Sequence, residues 1–175
     1  MFSHGLNWWT IILVGLVIPI IGIVIAVKSD NPIISFIGYN MVVIPFGFIL
    51  APVLQLYKAN VVQHAFLITA IDVFVMFLLS MSFPQFFSQI GGALFAALIG
   101  LVTVRIAQCF VPFLAGLTII DWIGAGIFSL YVGFDFWRAN EVPKTLDNAV
   151  DIALDLYLDI INLFLCILKI LGKKD

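Results

Sequence analysis

Charge is what this chain has least of. Only 10% of its 175 residues are Asp, Glu, Lys or Arg, and the net charge is −2, so it lacks the basic face that nucleic acid requires. No block of four or more basic residues marks an anionic-lipid patch. Cysteine is scarce too. Cys109 and Cys166 both sit in apolar surroundings, where a thiol behaves as a small hydrophobe, and they form neither a disulfide framework nor a zinc pattern. The N-terminus lacks the positive first region and small-residue cleavage site of a signal peptide, and its apolar stretch has full spanning length, so it reads as a helix that stays. No repeat recurs at intervals of about 20 to 50 residues, and no inverted halves of the transporter kind stand out.

What is present is apolar. Hydrophobic residues make up 63% of the chain and the mean hydropathy is +1.21, whereas soluble domains are about 45–50% apolar and about 25% charged. A water-soluble fold of this length leaves roughly a third of its unfolded surface exposed. The solvent must therefore be lipid, and the expected fold is an all-α membrane bundle in one transmembrane domain. A crossing needs about 20 apolar residues, which divides the chain into six spans, 8–27, 33–57, 61–83, 87–107, 115–137 and 148–171. Lys28, Asp30 and Pro32 stop the first, Pro84 closes the third, and Gly172 follows the last. Pro45 and Pro52 inside the second predict a kink rather than a break. Gly92, Ala96 and Gly100 form a small stripe on the fourth, which lets another helix approach closely, either within the bundle or from a partner.

An even number of crossings puts both termini on one side, with Lys58, Arg105, Lys169, Lys173 and Lys174 against Lys28, Arg138 and Lys144 on the other. The positive-inside rule makes that side cytoplasmic. Trp8, Trp9, Trp122 and Trp137 read as interfacial anchors, His64 as interfacial, and Arg105 as a residue that snorkels to the surface. None of these suggests catalysis.

The acids are harder to explain. An aspartate at the centre of a spanning helix costs about 2.5–3.5 kcal/mol, and Asp72, Asp121, Asp135 and Asp159 all lie in or near the spans. They must be protonated, paired, or facing water or protein. On the last helix Asp147, Asp151, Asp155 and Asp159 recur every four residues and so follow one slowly drifting stripe. Asp147 and Asp151 lie in the first turns, where acids complement the helix dipole. Asp159, with Asn162 beyond it on the same side, lies about three turns in. Asp135, in "SLYVGFDFWRAN", sits near the end of the preceding helix, and the short hairpin between them makes these two helices antiparallel neighbours. If their carboxyls meet, both cannot ionise cheaply, and the pair becomes a proton-sensitive latch.

At these residues the chain resembles the transmembrane Bax inhibitor motif family, the Bax inhibitor-1-like membrane proteins. The resemblance rests on "ALDLYLDIINLFLCILKILG", similar to an A-x-x-L-Y-L-D-x-x-N-L-F pattern, with support from "IFSLYVGFD" and "HAFLITAIDVF". It implies a helical bundle with the C-terminal helix central, and a pH-sensitive calcium leak pathway. Asp135 and Asp159 match the paired aspartates of the family's proton sensor, and Lys28 stands nearest to its basic counter-charge. The family usually has seven crossings. The first is the one expected to be absent here, through a late start or because a partner subunit covers the central helix.

The expected function is a regulated calcium pathway, with calcium as permeant ion, no cofactor and no enzymatic activity. Oxygen atoms hold calcium, and the acids expected along the path are Asp155, Asp151, Asp72 and Asp121, with Asn162. The expected partners are the lipid bilayer, calcium, protons, and a second copy or another membrane protein. The bacterial cell membrane is the expected location, the endoplasmic reticulum the alternative. The rival function is a non-transporting protein that modulates a membrane protease or a death or stress regulator. An intramembrane aspartyl protease does not fit: "LYLD" lacks the G-x-G-D motif, and "GAGIF" has the glycines without a following acid.

Overall fold

The structure is a computed structural model that describes residues 13–172. Trp8, Trp9, Lys173, Lys174 and the start of the expected first span lie outside the described residues. A π-helical turn, Leu13–Val17, runs into α1 (Ile18–Lys28). There follow α2 (Pro32–Leu54), α3 (Ala59–Ser82), α4 (Pro84–Phe110), a single turn α5 (Pro112–Ala115), α6 (Thr118–Glu141) and α7 (Leu146–Gly172). Among the described residues every regular element is helical. The chain is an all-α membrane bundle, in which α2, α3, α4 and α6 are each long and apolar enough to cross a bilayer. α7 has the length as well, but carries more charged side chains along it than these four.

Proline sets most of the boundaries. Pro32, Pro84 and Pro112 occupy first-turn positions, where a missing N–H goes unnoticed. Asn31 caps α2, its side chain accepting from the Ile33 amide at 3.0 Å. α2 continues through Pro45 and Pro52 without a break, as expected. At the other end, Pro143 drives Val142 into an extended conformation (ψ 154°). α6 therefore runs on past Trp137, where the sequence suggested it would stop, and reaches Glu141. Asp135 is thus well inside the helix rather than at its edge.

The chain forms two compact units: residues 1–57 with 143–154, and residues 58–142 with 155–175. In the first, α1 and α2 meet through small residues. A Cβ on Gly38 would stand 2.6 Å from the Gly22 carbonyl oxygen and 2.7 Å from the Ala26 nitrogen. Gly22 and Ala26, four apart, are the small pair that permits this approach. In the same unit the buried Ser35 hydroxyl donates to Asp147 Oδ1 at 2.6 Å.

In the second unit α3, α4, α6 and the later part of α7 enclose two apolar clusters. Leu101, Ile120, Phe128, Leu163 and Cys166 form one. Met76, Phe87 and Val132 form the other, with Leu156, Ile160 and Trp137 against them. Gly124 lets α7 in: a Cβ there would lie 2.9 Å from Cys166 Sγ. Along α7, Leu146 alone among the large apolar side chains is strongly exposed, whereas α3 presents Phe66, Leu67, Ile71, Phe74 and others outward. Within the second unit, α7 from Asp155 onward is thus more covered by protein than α3. The Gly92, Ala96 and Gly100 stripe faces outward, and added Cβ atoms at Gly92 and Gly100 would meet nothing within 4 Å.

Candidate functional site

The second unit brings Asp135 of α6 and Asp159 of α7 together. Asp135 is 3% exposed, its Oδ2 meets no amide, hydroxyl or guanidinium donor, and its carboxyl lies within electrostatic reach of that of Asp159. Ionised carboxylates only accept hydrogen bonds, so a bond between them requires that one carry a proton. Tyr131, one turn back on α6, lies within electrostatic reach of both acids.

The neighbouring rung of this contact is an ion pair. Arg138 Nη1 donates to Asp155 Oδ2 at 2.7 Å. Arg138 lies three residues beyond Asp135 on α6, and Asp155 four residues before Asp159 on α7, as an antiparallel register with helical periodicity demands. The side chains of Arg138 and Asp155 are 41% and 37% exposed, so this rung is the open end and the acid pair the closed one. Asp155 is close enough to act electrostatically on both paired acids, and Arg138 on Asp135.

The remaining acids have partners of their own. Asp121 is held by Arg105 Nη1 at 2.8 Å, with the Asp121 side chain 5% exposed and that of Arg105 27%. Arg105 also donates to Gln108 Oε1 at 3.3 Å and to Cys166 Sγ at 3.6 Å, which ties α4, α6 and α7 together at one point. It does not snorkel to the surface as the sequence suggested, because an acid waits for it inside. Asp72, near the middle of α3, accepts from the Ser129 hydroxyl of α6 at 2.9 Å, while its Oδ2 is buried without a donor. Asn162 turns its amide back to the Leu158 carbonyl of its own helix at 2.7 Å. Asp151 and Lys28 belong to the first unit, Lys28 exposed at the end of α1. Within the second unit, the base that acts on Asp135 is Arg138. Among the described residues no three His, Cys, Asp or Glu side chains converge as a metal site.

Two of these partnerships had a signal in the sequence. A buried arginine inside an apolar helix needs an acid, and Asp121 is the first acid after Arg105. Likewise Arg138 is the one base within the last turns of α6. Ser129 carried no such signal, since a lone serine on a spanning helix ordinarily bonds its own backbone.

Comparison with known proteins identifies the family of the chain. A family model described as "Inhibitor of apoptosis-promoting Bax1" matches residues 1–175. An uncharacterized membrane protein of Streptococcus pyogenes serotype M3 is 33% identical over 135 residues, covering 74% of this chain and 59% of the relative. The chain thus spans about three-fifths of the length of the streptococcal relatives it matches. The inner membrane protein YbhL of Escherichia coli K12 is 26% identical over 180 residues, covering 94% of this chain and 76% of YbhL. A Borreliella burgdorferi protein without assigned function is 25% identical over 184 residues. Together with its apolar helices, these matches make the chain an integral membrane protein that belongs to the Bax inhibitor-1-like family.

Proposed function

We propose that this protein is a pH-sensitive leak pathway for cations, with calcium as the permeant ion, in which the Asp135 and Asp159 pair is the proton-operated latch. The observation that carries this reading is that the carboxyls of Asp135 on α6 and Asp159 on α7 act on each other in a buried setting, with no donor on Asp135 Oδ2. With one proton shared, the contact is attractive and holds the two helices together. Without it, two like charges face each other where water is sparse, and their repulsion favours a second arrangement of the bundle. Acids of α7, together with Asp72, give the path its preference for cations. Asp121 and Asp155 contribute less, since each is neutralised by an arginine. On this reading six helices cross the bacterial cell membrane with both termini cytoplasmic.

The test is calcium flux into liposomes carrying an internal calcium dye. Wild-type flux should rise with pH, and Asp135→Asn and Asp159→Asn should each give pH-independent flux. Unchanged pH dependence in both variants would rule the latch out.

One observation favours a second reading, a non-transporting modulator of other membrane proteins. The Gly92, Ala96 and Gly100 stripe is turned outward, and a small-residue face suits a partner helix. Such a protein would show no flux above empty vesicles.

A further inference from the structure

We propose that the ion pair between Arg138 and Asp155 sets the pH at which the Asp135 and Asp159 latch opens, with Arg138 as the tuning charge and Asp155 as the group that holds it away from the pair. This deepens the latch reading and rests on it. Arg138 and Asp135 are on the same face of α6, one turn apart, so the guanidinium is long enough to serve either acid. In the structure it is engaged by Asp155 at 2.7 Å, while Asp135 Oδ2 has no donor from any base. The groups facing the pair are Tyr131 and Arg138 from α6 and Asp155 from α7. The acid of α3, Asp72, is on Ser129. Asp155 and Asp135 thus share one cation, beside a third carboxyl, Asp159.

Loss of the latch proton adds a full negative charge one rung from Arg138. Arg138 stabilises that ionised state, whereas Asp155 opposes it twice, by its own charge and by occupying the guanidinium. The two residues therefore act in opposite directions although they are bonded to each other. Removing Arg138 makes the proton harder to lose, so the latch should stay closed to higher pH. Removing Asp155 takes away a like charge and frees Arg138 for Asp135, so the latch should open at lower pH. A unit charge at one-turn distance, partly screened at a half-exposed rung, corresponds to a shift of about one pH unit in each direction.

The experiment follows the carbonyl band of protonated carboxylic acid by infrared spectroscopy of purified protein in detergent, titrated with pH, for wild type, Asp159→Asn, Arg138→Gln, Arg138→Lys and Asp155→Asn. The wild-type band should titrate, and in the Asp159→Asn protein, where Asp135 faces no second acid, its midpoint should fall. Arg138→Gln should move the midpoint up and Asp155→Asn should move it down. Arg138→Lys, which keeps the charge, should restore it toward wild type. A purely structural pair would shift both variants the same way or not at all, and that result overturns the proposal while leaving the latch intact. If the midpoint in Asp159→Asn stays at its wild-type value, the latch reading itself fails. The spectroscopic midpoints do not depend on flux, so an inactive liposome preparation affects neither conclusion.

Discussion

The ion pair between Arg105 and Asp121 makes a prediction whose size follows from how unequally its partners are buried. Arg105→Met leaves the Asp121 carboxylate, 5% exposed, without its cation. Stranding a buried charge costs about 3–5 kcal/mol, and partial access of the site through the arginine's side places the expectation near the lower end, about 3 kcal/mol. Asp121→Leu strands the other partner, but Arg105 is 27% exposed and its long stem can carry the guanidinium outward. Its expected loss is smaller, about 1–2 kcal/mol. Converting both residues together removes two charges from an apolar setting, and such replacements are often close to neutral. The double variant should therefore be more stable than Arg105→Met alone, with a coupling of about 4–5 kcal/mol, close to the two single losses together. The measurement is denaturant unfolding in mild detergent micelles, followed by circular dichroism, for all four proteins of the cycle. Additive losses, with the double variant the least stable of the set, would refute the claim that Asp121 is a charge held inside by Arg105.

Two further predictions use the same unfolding assay. Gly38→Val should cost about 1–3 kcal/mol as overpacking, because its Cβ falls 2.6 Å from the Gly22 carbonyl, whereas Gly92→Leu should leave the protomer's stability unchanged, since nothing lies within 4 Å there; equal losses would mean that the outward stripe is covered by another helix. Ser129→Ala should cost about 1–3 kcal/mol by taking from Asp72 the hydroxyl it accepts from, and a second change, Asp72→Leu, should recover most of that loss; no recovery would show that the serine matters for packing instead.

The helical class and the location of most helices were legible because an apolar run of spanning length has few alternatives in lipid. Boundaries were less legible. The end of α6 was drawn at Trp137 because Arg138, Asn140 and Glu141 look like loop residues, yet Arg138 has Asp155 to meet and Pro143 is the first residue that prevents the helix from continuing. The close helix contact was legible in kind but not in place. Gly92, Ala96 and Gly100 had the spacing, as did Gly22 and Ala26, and sequence periodicity says which residues share a face without saying what faces them. Only the structure shows that the second set is the one in contact and the first is open.

The same distinction explains the aspartates of α7. Four acids at four-residue intervals look like one functional strip, and at i,i+4 spacing neighbouring charges repel by about 0.2–0.5 kcal/mol. A step of four residues overshoots a full turn by about 40°, so each acid points to a different neighbour. Asp147 accepts from Ser35 of α2, Asp155 from Arg138 of α6, and Asp159 meets Asp135. A hydroxyl, a guanidinium and a second acid are three different chemistries, and only in the last do two groups of the same sign meet, which is why the proposed latch is placed there. Periodicity marks all of these aspartates alike. What singles out Asp159 is that its neighbour is itself an acid, and on the proposed reading the two stay together only while a proton is shared between them.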